Sequence, residues 1–509
     1  MALARFFSFG DRIKRLLSKK NSFKSLHLVF LNPQGNFDNA NSGIGEHPDF
    51  GGQLIYVREI CASLARHGIN VDIVTRQFVD ERWPTFAKTT ELLLTHTSGQ
   101  VRIIRVPCGP DSFLRKEDLW PHLESWVYNI AAFYAREGQL PDASTGHYGD
   151  GGLACAMLED ISKIPFASFT AHSLGAQKRD IIIKEGQDLA DFNFPSRLEA
   201  ECRSLRAAFR IIVSTNMERC EQYAHPAYKN VIDVDLDPAR FVFIPPGVNL
   251  DIFGPDIVGP MEEPSVKTFI EALARDIPAH RHHLPIVIAA GRLDFKKNHI
   301  SIVQAFANHD KLRHNANLLM LIKGGPQAFQ NPEACFTGEE LQIATRMMKI
   351  MQGADMAGTC VIVPGLQNTQ PELAAIFRHL RRTKQGIFCH PAHYEPFGLM
   401  VLEAIAAGIP AVCTQNGGPI ESLKSGDEQY AMLVDPSNID EIATCLYKLV
   451  SSPTKWQEYQ TKSQKHVLDN YSWDAAADRY LKVIFDMIAD RCATTTAPSV
   501  PFGFSTLLK

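Results

Sequence analysis

The stretch Glu395-Pro-Phe-Gly-Leu-Met-Val-Leu-Glu403, entered from the apolar run Ile387-Phe-Cys-His390 and followed by Gly417-Gly-Pro-Ile-Glu421, decides the reading of this chain. The apolar run reads as a buried strand, and Gly398 to Ala407 reads as a helix stopped by Gly408. Glu395 then sits in the turn between them, with Glu403 about a turn and a half inside the helix at roughly 3.6 residues per turn. The first free amides of that helix, near Phe397, Gly398 and Leu399, point back at the same place. Paired carboxylates accept hydrogen bonds from sugar hydroxyls, and a helix N-terminus holds a diphosphate. A lone Glu would read as an acidic helix start favoured by the helix dipole. The second Glu and the downstream Gly-Gly-Pro-Ile-Glu shift the reading to a sugar-nucleotide site.

Working outward, strands and helical patterns alternate on both sides of this segment. Leu26 to Leu31 reads as a strand; Gly51-Gly52 opens a helical pattern with Leu54, Val57, Cys61 and Leu64 on one face; Val71 to Thr75 is the next strand. That βαβ unit implies a parallel sheet with right-handed crossovers. Further strands are expected at Val101 to Val106, Phe166 to Thr170, Ile211 to Ser214 and Phe241 to Ile244. A second set runs through Pro285 to Ala290, Leu318 to Ile322, Val361 to Pro364, Ile387 to His390 and Ala411 to Thr414. The fold expected is α/β, with two facing doubly wound Rossmann-like domains. Residues 26–250 form the first, a Pro-rich irregular hinge runs over 251–283, and residues 284–470 form the second. The helical pattern at 471–492 is expected to pack back on the first domain. Ligands of such sheets bind at the C-terminal strand ends, so the site is expected in the cleft.

Composition narrows the classes. A chain of 509 residues with 45% hydrophobic and 21% charged residues reads as two or three domains of a soluble protein. No apolar run approaches the roughly 18 residues of a membrane span. The 11 cysteines include no Cys-x-x-Cys pair, so reduced thiols and a cytoplasmic location are expected, without zinc or a disulfide framework. A net charge of −4 argues against nucleic-acid binding. Residues 1–25 depart from that balance: Arg5, Arg12, Lys14, Arg15, Lys19, Lys20 and Lys24 face Asp11 alone. A leader that does nothing specific is the expectation, with an amphipathic helix on an anionic membrane or a transit peptide as open alternatives. Residues 493–509 read as a mobile tail.

Several constellations border the expected cleft. Gly51-Gly52-Gln53 lies where a loop meets a helix N-terminus and allows close ligand approach, and Asn32-Pro-Gln-Gly35 follows the first strand. In Gly291-Arg-Leu-Asp-Phe-Lys-Lys-Asn298, Arg292 and Lys297 can converge on one diphosphate, the Arg as a fork and the Lys as a point charge. A solvated basic turn is the alternative. His172, at a strand end, could donate to a sugar hydroxyl or polarise a reacting oxygen, or be a satisfied structural histidine. Ser173 lacks the Gly-x-Ser-x-Gly elbow of a hydrolase nucleophile. Lys116, Lys178 and Arg197 are candidate acceptor-phosphate ligands or, failing that, surface charges. His147-Tyr-Gly-Asp-Gly-Gly152 reads as another strand-to-helix turn.

Together these residues resemble the retaining nucleotide-sugar glycosyltransferases of the GT-B type. Asn32-Pro-Gln-Gly-Asn-Phe37, His47-Pro-Asp-Phe-Gly-Gly-Gln53, Lys116-Glu-Asp-Leu-Trp-Pro121, His147-Tyr-Gly-Asp-Gly151 and His172-Ser-Leu-Gly175 resemble the glucosyltransferase domain of the sucrose-phosphate synthase family. The resemblance runs from about Leu26 to Ile488. It implies a retaining hexosyltransferase in sucrose biosynthesis that makes sucrose 6-phosphate from UDP-glucose or ADP-glucose and fructose 6-phosphate. It implies that Arg292 and Lys297 neutralise the donor diphosphate, that Glu403 binds the ribose, and that Glu395 binds the glucose hydroxyls. Amides near Phe397, Gly398 and Leu399 would meet the sugar. Gly51, Gly52 and Gln53 would border the phosphates and acceptor. Lys116, Tyr148, Ser173, Lys178 and Arg197 would hold fructose 6-phosphate, and His172 would stabilise the transferring sugar. Family mechanism suggests same-face displacement in which the leaving diphosphate takes the acceptor proton. No Asp-x-Asp metal site is evident, so no cofactor and no required metal are expected. A separate sucrose-phosphate phosphatase would complete sucrose formation.

One departure stands out: the family often has two adjacent arginines where this chain has Ser196-Arg197, one fork fewer for the acceptor phosphate. Transfer to free fructose in the manner of sucrose synthases, use of GDP-mannose as in mannosylfructose-phosphate synthase, and an inactive sugar-nucleotide sensor are the alternative readings.

Overall fold

A computed structural model describes residues 26–38, 47, 49–93, 100–184, 186, 188–259, 262–322, 330–363, 369–383 and 385–496, the last five by backbone alone. The expectations for residues 1–25, for Pro364 and for 497–509 lie outside the described residues. The chain divides into two compact units. One comprises the described residues of Met1–Ile212, Tyr223–Val242 and Tyr480–Lys509, the other Val213–Gln222 and Phe243–Arg479.

The sheet of the first unit is built on β1 (His27–Leu31), β2 (Asn70–Gln77), β3 (Thr90–Leu93), β4 (Val101–Pro107), β5 (Ala143–His147), β6 (Phe166–Thr170), β7 (Arg210–Val213) and β8 (Phe241–Phe243). Its order is β3-β4-β2-β1-β5-β6-β7-β8. Strands β4, β2, β1, β5, β6 and β7 pair in parallel, and β3 runs antiparallel at the edge. Val29, Phe30, Ile73 and Ile103 are fully buried, as strands covered on both faces require. The order reverses between β1 and β5, so the C-terminal ends of these strands open the crevice in which doubly wound sheets bind ligands.

Strand β5 carries the sequence Ala-Ser-Thr-Gly-His, which has no apolar run, yet every residue is buried. Its hydroxyls are satisfied within the sheet: Ser144 Oγ donates to Pro165 O and Thr145 Oγ1 to Ser168 O. Strand β3 was not expected from the sequence, and β5 was expected only through the strand-to-helix turn at His147. The remaining strands of this unit fall where the apolar runs put them, within a residue or two.

The second unit contains β9 (Ile286–Ala290), β10 (Asn317–Leu321), β11 (Cys360–Ile362), β12 (Ile387–His390), β13 (Ala411–Thr414) and, after the two-residue strands β14 (Lys424–Ser425) and β15 (Glu428–Gln429), β16 (Met432–Val434). The main sheet has the order β11-β10-β9-β12-β13-β16 and is parallel throughout. Along β9, Ile286, Ile288 and Ala290 enter one apolar cluster while Val287 and Ala289 enter another on the opposite face, the period of two of a strand between two helical layers. The switch point lies between β9 and β12. Residues 251–283, expected to be irregular, hold the helix Glu262–Asp276, whose Phe269, Ala272 and Leu273 join one of these clusters. The helix Trp473–Thr496 belongs to the second unit up to Arg479 and to the first from Tyr480 on, where Tyr480 hydrogen-bonds Thr170.

Candidate functional site

Each unit gathers polar side chains at its own switch point. In the second, β9 ends at Ala290 and the chain turns into the short helix Phe295–Lys297, whose cap Asp294 accepts the Lys297 N–H at 2.9 Å. The neighbouring strand β12 ends at His390. The side chains of Lys297 and His390 both meet Oε2 of Glu395, Lys297 Nζ at 2.8 Å and His390 Nε2 at 2.9 Å. Burial would raise the Glu395 carboxyl, but His390 and Lys297 outweigh it and hold it at about 2. Glu395 is thus a carboxylate at any working pH. Its other oxygen, Oε1, has no protein partner among the described residues, which suits it to accept from a hydroxyl.

The loop at Glu395 is stacked on the loop that follows β13. Glu395 N–H donates to Asn416 O, and Gly418 N–H donates to Glu395 O at 2.8 Å. This approach needs glycine: at Gly417, with φ +98°, a Cβ would lie 2.2 Å from Glu395 O. Gly398, also left-handed, caps the helix Leu399–Ala406. Phe397 packs toward Tyr471, with ring centroids 6.2 Å apart. One turn into the helix, Glu403 is buried and accepts from Gln370 Nε2 at 2.8 Å. Burial pushes its carboxyl up to about 7, against the pull of that hydrogen bond. Glu421 is occupied differently, its carboxylate accepting the backbone N–H groups of Asn216 and Met217. Arg292 stands apart from the cluster: its side chain is 84% exposed and its ion-pair partner, at 3.6 Å, is Asp294.

In the first unit, Asn32 Nδ2 braces the loop after β1 by donating to Gln34 O. Two buried arginines hold what surrounds it. Arg105 donates to Asn36 Oδ1 and Phe37 O, and Arg76 to Cys108 O and Ser112 O. Gln34, Lys116, Glu117, Tyr148, Lys178 and Arg197 line a pocket there, together with Gly149, Asp150 and Phe192. Lys116 Nζ is held 2.5 Å from Asp49 Oδ1, and the same carboxylate accepts the Lys116 N–H. Gln53 Nε2 donates to Asp49 O. Gly51 caps the helix Gly52–Arg66, and a Cβ at Gly52 would meet nothing within 4 Å, so the protein itself leaves that approach open.

Arg197 Nε donates to Glu201 Oε1 at 2.9 Å and Nη2 to Ser173 O at 2.8 Å, which leaves Nη1 without a protein partner among the described residues. Lys178 lies 5.0 Å over the Phe192 ring and has no carboxylate partner among the described residues. Burial lowers its pKa, and the nearby charges of Lys116 and Arg197 lower it further, against the smaller opposing pull of Glu117 and Asp49. A cation crowded by cations is what an anion site looks like before its anion arrives. Burial pushes the Asp150 carboxyl up to about 7, which reduces the negative charge it sets against these cations.

Tyr148 follows directly on β5 and His172 lies two residues past the end of β6, and both have left-handed backbones, with φ +62° and +56°. Non-glycine residues adopt that conformation at a cost, and such strain concentrates at functional sites. Their rings lie 5.4 Å apart. Desolvation lowers the His172 pKa to about 3, so its ring is neutral at working pH.

The sequence-based assignment therefore sorts into two groups of neighbours: Lys297, Glu395, Phe397, Gly398, Leu399 and Glu403 in the second unit, and Lys116, Tyr148, His172, Ser173, Lys178 and Arg197 in the first. His390, Gln370, Asp49 and His147 were not assigned roles. His390 was visible as the polar end of an apolar strand and Asp49 as the acid before Gly51-Gly52; nothing local marked Gln370. Among the described residues no group of three or more His, Cys, Asp or Glu is placed to hold a metal ion, and no helix is long and apolar enough to cross a membrane.

Residues 12–259 match the family model of the sucrose synthase first GT-B domain, and residues 271–467 that of glycosyl transferases group 1. A probable sucrose-phosphate synthase of Thermosipho melanesiensis is 36% identical over 460 residues, covering 90% of this chain and 96% of that protein. The sucrose-phosphate synthase of Zea mays is 31% identical over 91% of this chain but 48% of its own length, so the chain spans about half of that relative. Among solved structures, a sucrose-phosphate synthase from Thermosynechococcus elongatus superposes with a TM-score of 0.59 at 21% identity, covering 91% of this chain and 100% of that one.

Proposed function

From the premise that this chain belongs to the sucrose-phosphate synthase family of glycosyltransferases, we propose that it transfers glucose, with retention, from UDP-glucose or ADP-glucose to the 2-hydroxyl of fructose 6-phosphate. The product is sucrose 6-phosphate, left for a separate phosphatase. The observation that carries the phosphorylated acceptor is the cluster of Lys116, Lys178 and Arg197 on one pocket, with Lys178 and Arg197 Nη1 lacking acceptors among the described residues.

In this reading Lys178 and Arg197 Nη1 bind the phosphate, while Lys116, fixed by Asp49, and Tyr148 orient the sugar. Ser196 removes one fork from this set, and that alone favours free fructose. Lys178 supplies the charge that a neutral sugar would leave unanswered. At the donor, Lys297 and the helix amides at Gly398 and Leu399 stabilise negative charge on the departing diphosphate, joined by Arg292 as its exposed side chain swings in. Glu395, ionised and with Oε1 open, accepts from glucose hydroxyls, and Glu403 accepts from the ribose. Acid–base work by the protein is small, because the departing phosphate takes the acceptor proton. The rate then comes from positioning and fixed charge.

The acceptor assignment is tested by Lys178→Ala, assayed with fructose 6-phosphate and with free fructose. The KM for fructose 6-phosphate should rise at least about tenfold, the size of one charge-assisted hydrogen bond, while any turnover of free fructose stays unchanged. Equal loss with both acceptors would contradict the phosphate assignment.

A further inference from the structure

The ring of His172 has a partner with no assigned role. His147, the last residue of β5, places Nδ1 2.8 Å from Nε2 of His172. The two rings are inclined by 26°, with centroids 5.1 Å apart, and Phe30 stacks on His147 at 5.4 Å. Burial holds both rings well below the ordinary histidine pKa, so both are neutral. Between two neutral rings, one nitrogen must carry the proton and the other must accept it.

The rest of His147 decides which. Its Nε2 is buried and has no hydrogen-bond partner among the described residues. If His147 accepted through Nδ1, its proton would sit on Nε2, and a buried N–H donor would be orphaned. If Nδ1 carries the proton, only a lone pair is left unanswered, the more tolerable of the two defects. Nε2 of His172 is then the acceptor, and its proton must reside on Nδ1, which has no protein partner among the described residues.

We propose that His147 is a positioning residue that fixes the tautomer of His172, so that His172 presents an Nδ1–H donor to the substrate rather than a bare nitrogen. The role of His172 toward the sugar rests on the function proposed above; the tautomer does not. This arrangement makes His172 a neutral hydrogen-bond donor and excludes it as a base. It also gives the left-handed backbone at His172 a purpose, since that turn brings the ring against the end of the neighbouring strand.

The test is nitrogen-15 NMR of the full chain labelled at histidine, with the His172 signals assigned by their loss in His172→Gln. In the unaltered protein His172 should show a protonated Nδ1 and a bare Nε2. In His147→Leu the balance should move toward Nε2–H, whereas His147→Asn, whose amide keeps a donor near the place of Nδ1, should retain the original form. Sugar transfer should follow: kcat falls about tenfold to a hundredfold in His147→Leu, the range typical when the outer partner of a working histidine is lost, with both KM values nearly unchanged, and recovers in His147→Asn. A protonated Nε2 on His172 in the unaltered protein overturns the proposal without need of any variant, and so does an unchanged tautomer in folded His147→Leu. If the tautomer is as stated but no transfer occurs with any donor, the functional reading fails and the pairing stands.

Discussion

Glu395 and Glu403 sit on one loop and helix and titrate far apart, because their surroundings differ. Glu395 has a lysine and a histidine on one oxygen and stays ionised; Glu403 has only an amide and is buried, so its carboxyl is pushed up to about 7. The sign follows from linkage. A carboxyl whose pKa is raised on folding binds its proton more tightly in the folded state, so its contribution favours folding most below about pH 4.5 and is lost as pH rises toward 7. Replacement by Gln keeps the acceptor for Gln370 and removes the charge. Glu403→Gln should therefore be more stable than the unaltered protein at pH 8, by up to about 3 kcal/mol for a shift of this size, and melt at about the same temperature near pH 4, while its donor KM rises. A lower melting temperature at pH 8 would count against the buried, unpaired carboxyl. Lys297→Ala removes a preorganised cation, and kcat/KM should fall roughly 10²–10³-fold, as with loss of one transition-state donor; turnover within a factor of about three of the unaltered protein would refute the donor assignment.

At the scale of elements, the donor site is two loops pressed together, and Gly417 is where they touch. Gly417→Ala adds a Cβ within 2.2 Å of Glu395 O at φ +98°, so the loops must part. The expected cost is about 2 kcal/mol or more, with a raised donor KM and an unchanged KM for fructose 6-phosphate; an unchanged melting temperature would mean that the loops give way without cost. This element was legible in the sequence because Glu395, the glycines and the strand ending at His390 are close along the chain. The strand β5 showed only its closing turn at His147, because its burial is made acceptable by Ser144 and Thr145 hydrogen bonds to the next strand, which no apolar pattern announces. For the same reason the His147–His172 pair was hidden: each histidine was visible at a strand-to-helix turn, but their contact depends on the pairing of β5 with β6. The helix Glu262–Asp276 was masked by its prolines at either side, which read as an irregular hinge although Phe269, Ala272 and Leu273 carry a helical face.

For the whole molecule, the account makes one unit the holder of an anionic sugar and the other the holder of a nucleotide sugar, with charge supplied by side chains and helix ends. A chelator should accordingly leave the transfer rate unchanged, and loss of activity that magnesium restores would show that a cation shares the diphosphate. The central claim is the pairing of donor and acceptor, and it is tested most directly by nucleotide release from UDP-glucose with fructose 6-phosphate or free fructose at matched concentrations, repeated with ADP-glucose. The account predicts strong release with fructose 6-phosphate from at least one of these donors and little with free fructose. Preference for free fructose would contradict it, and would make Ser196 the mark of a changed acceptor site.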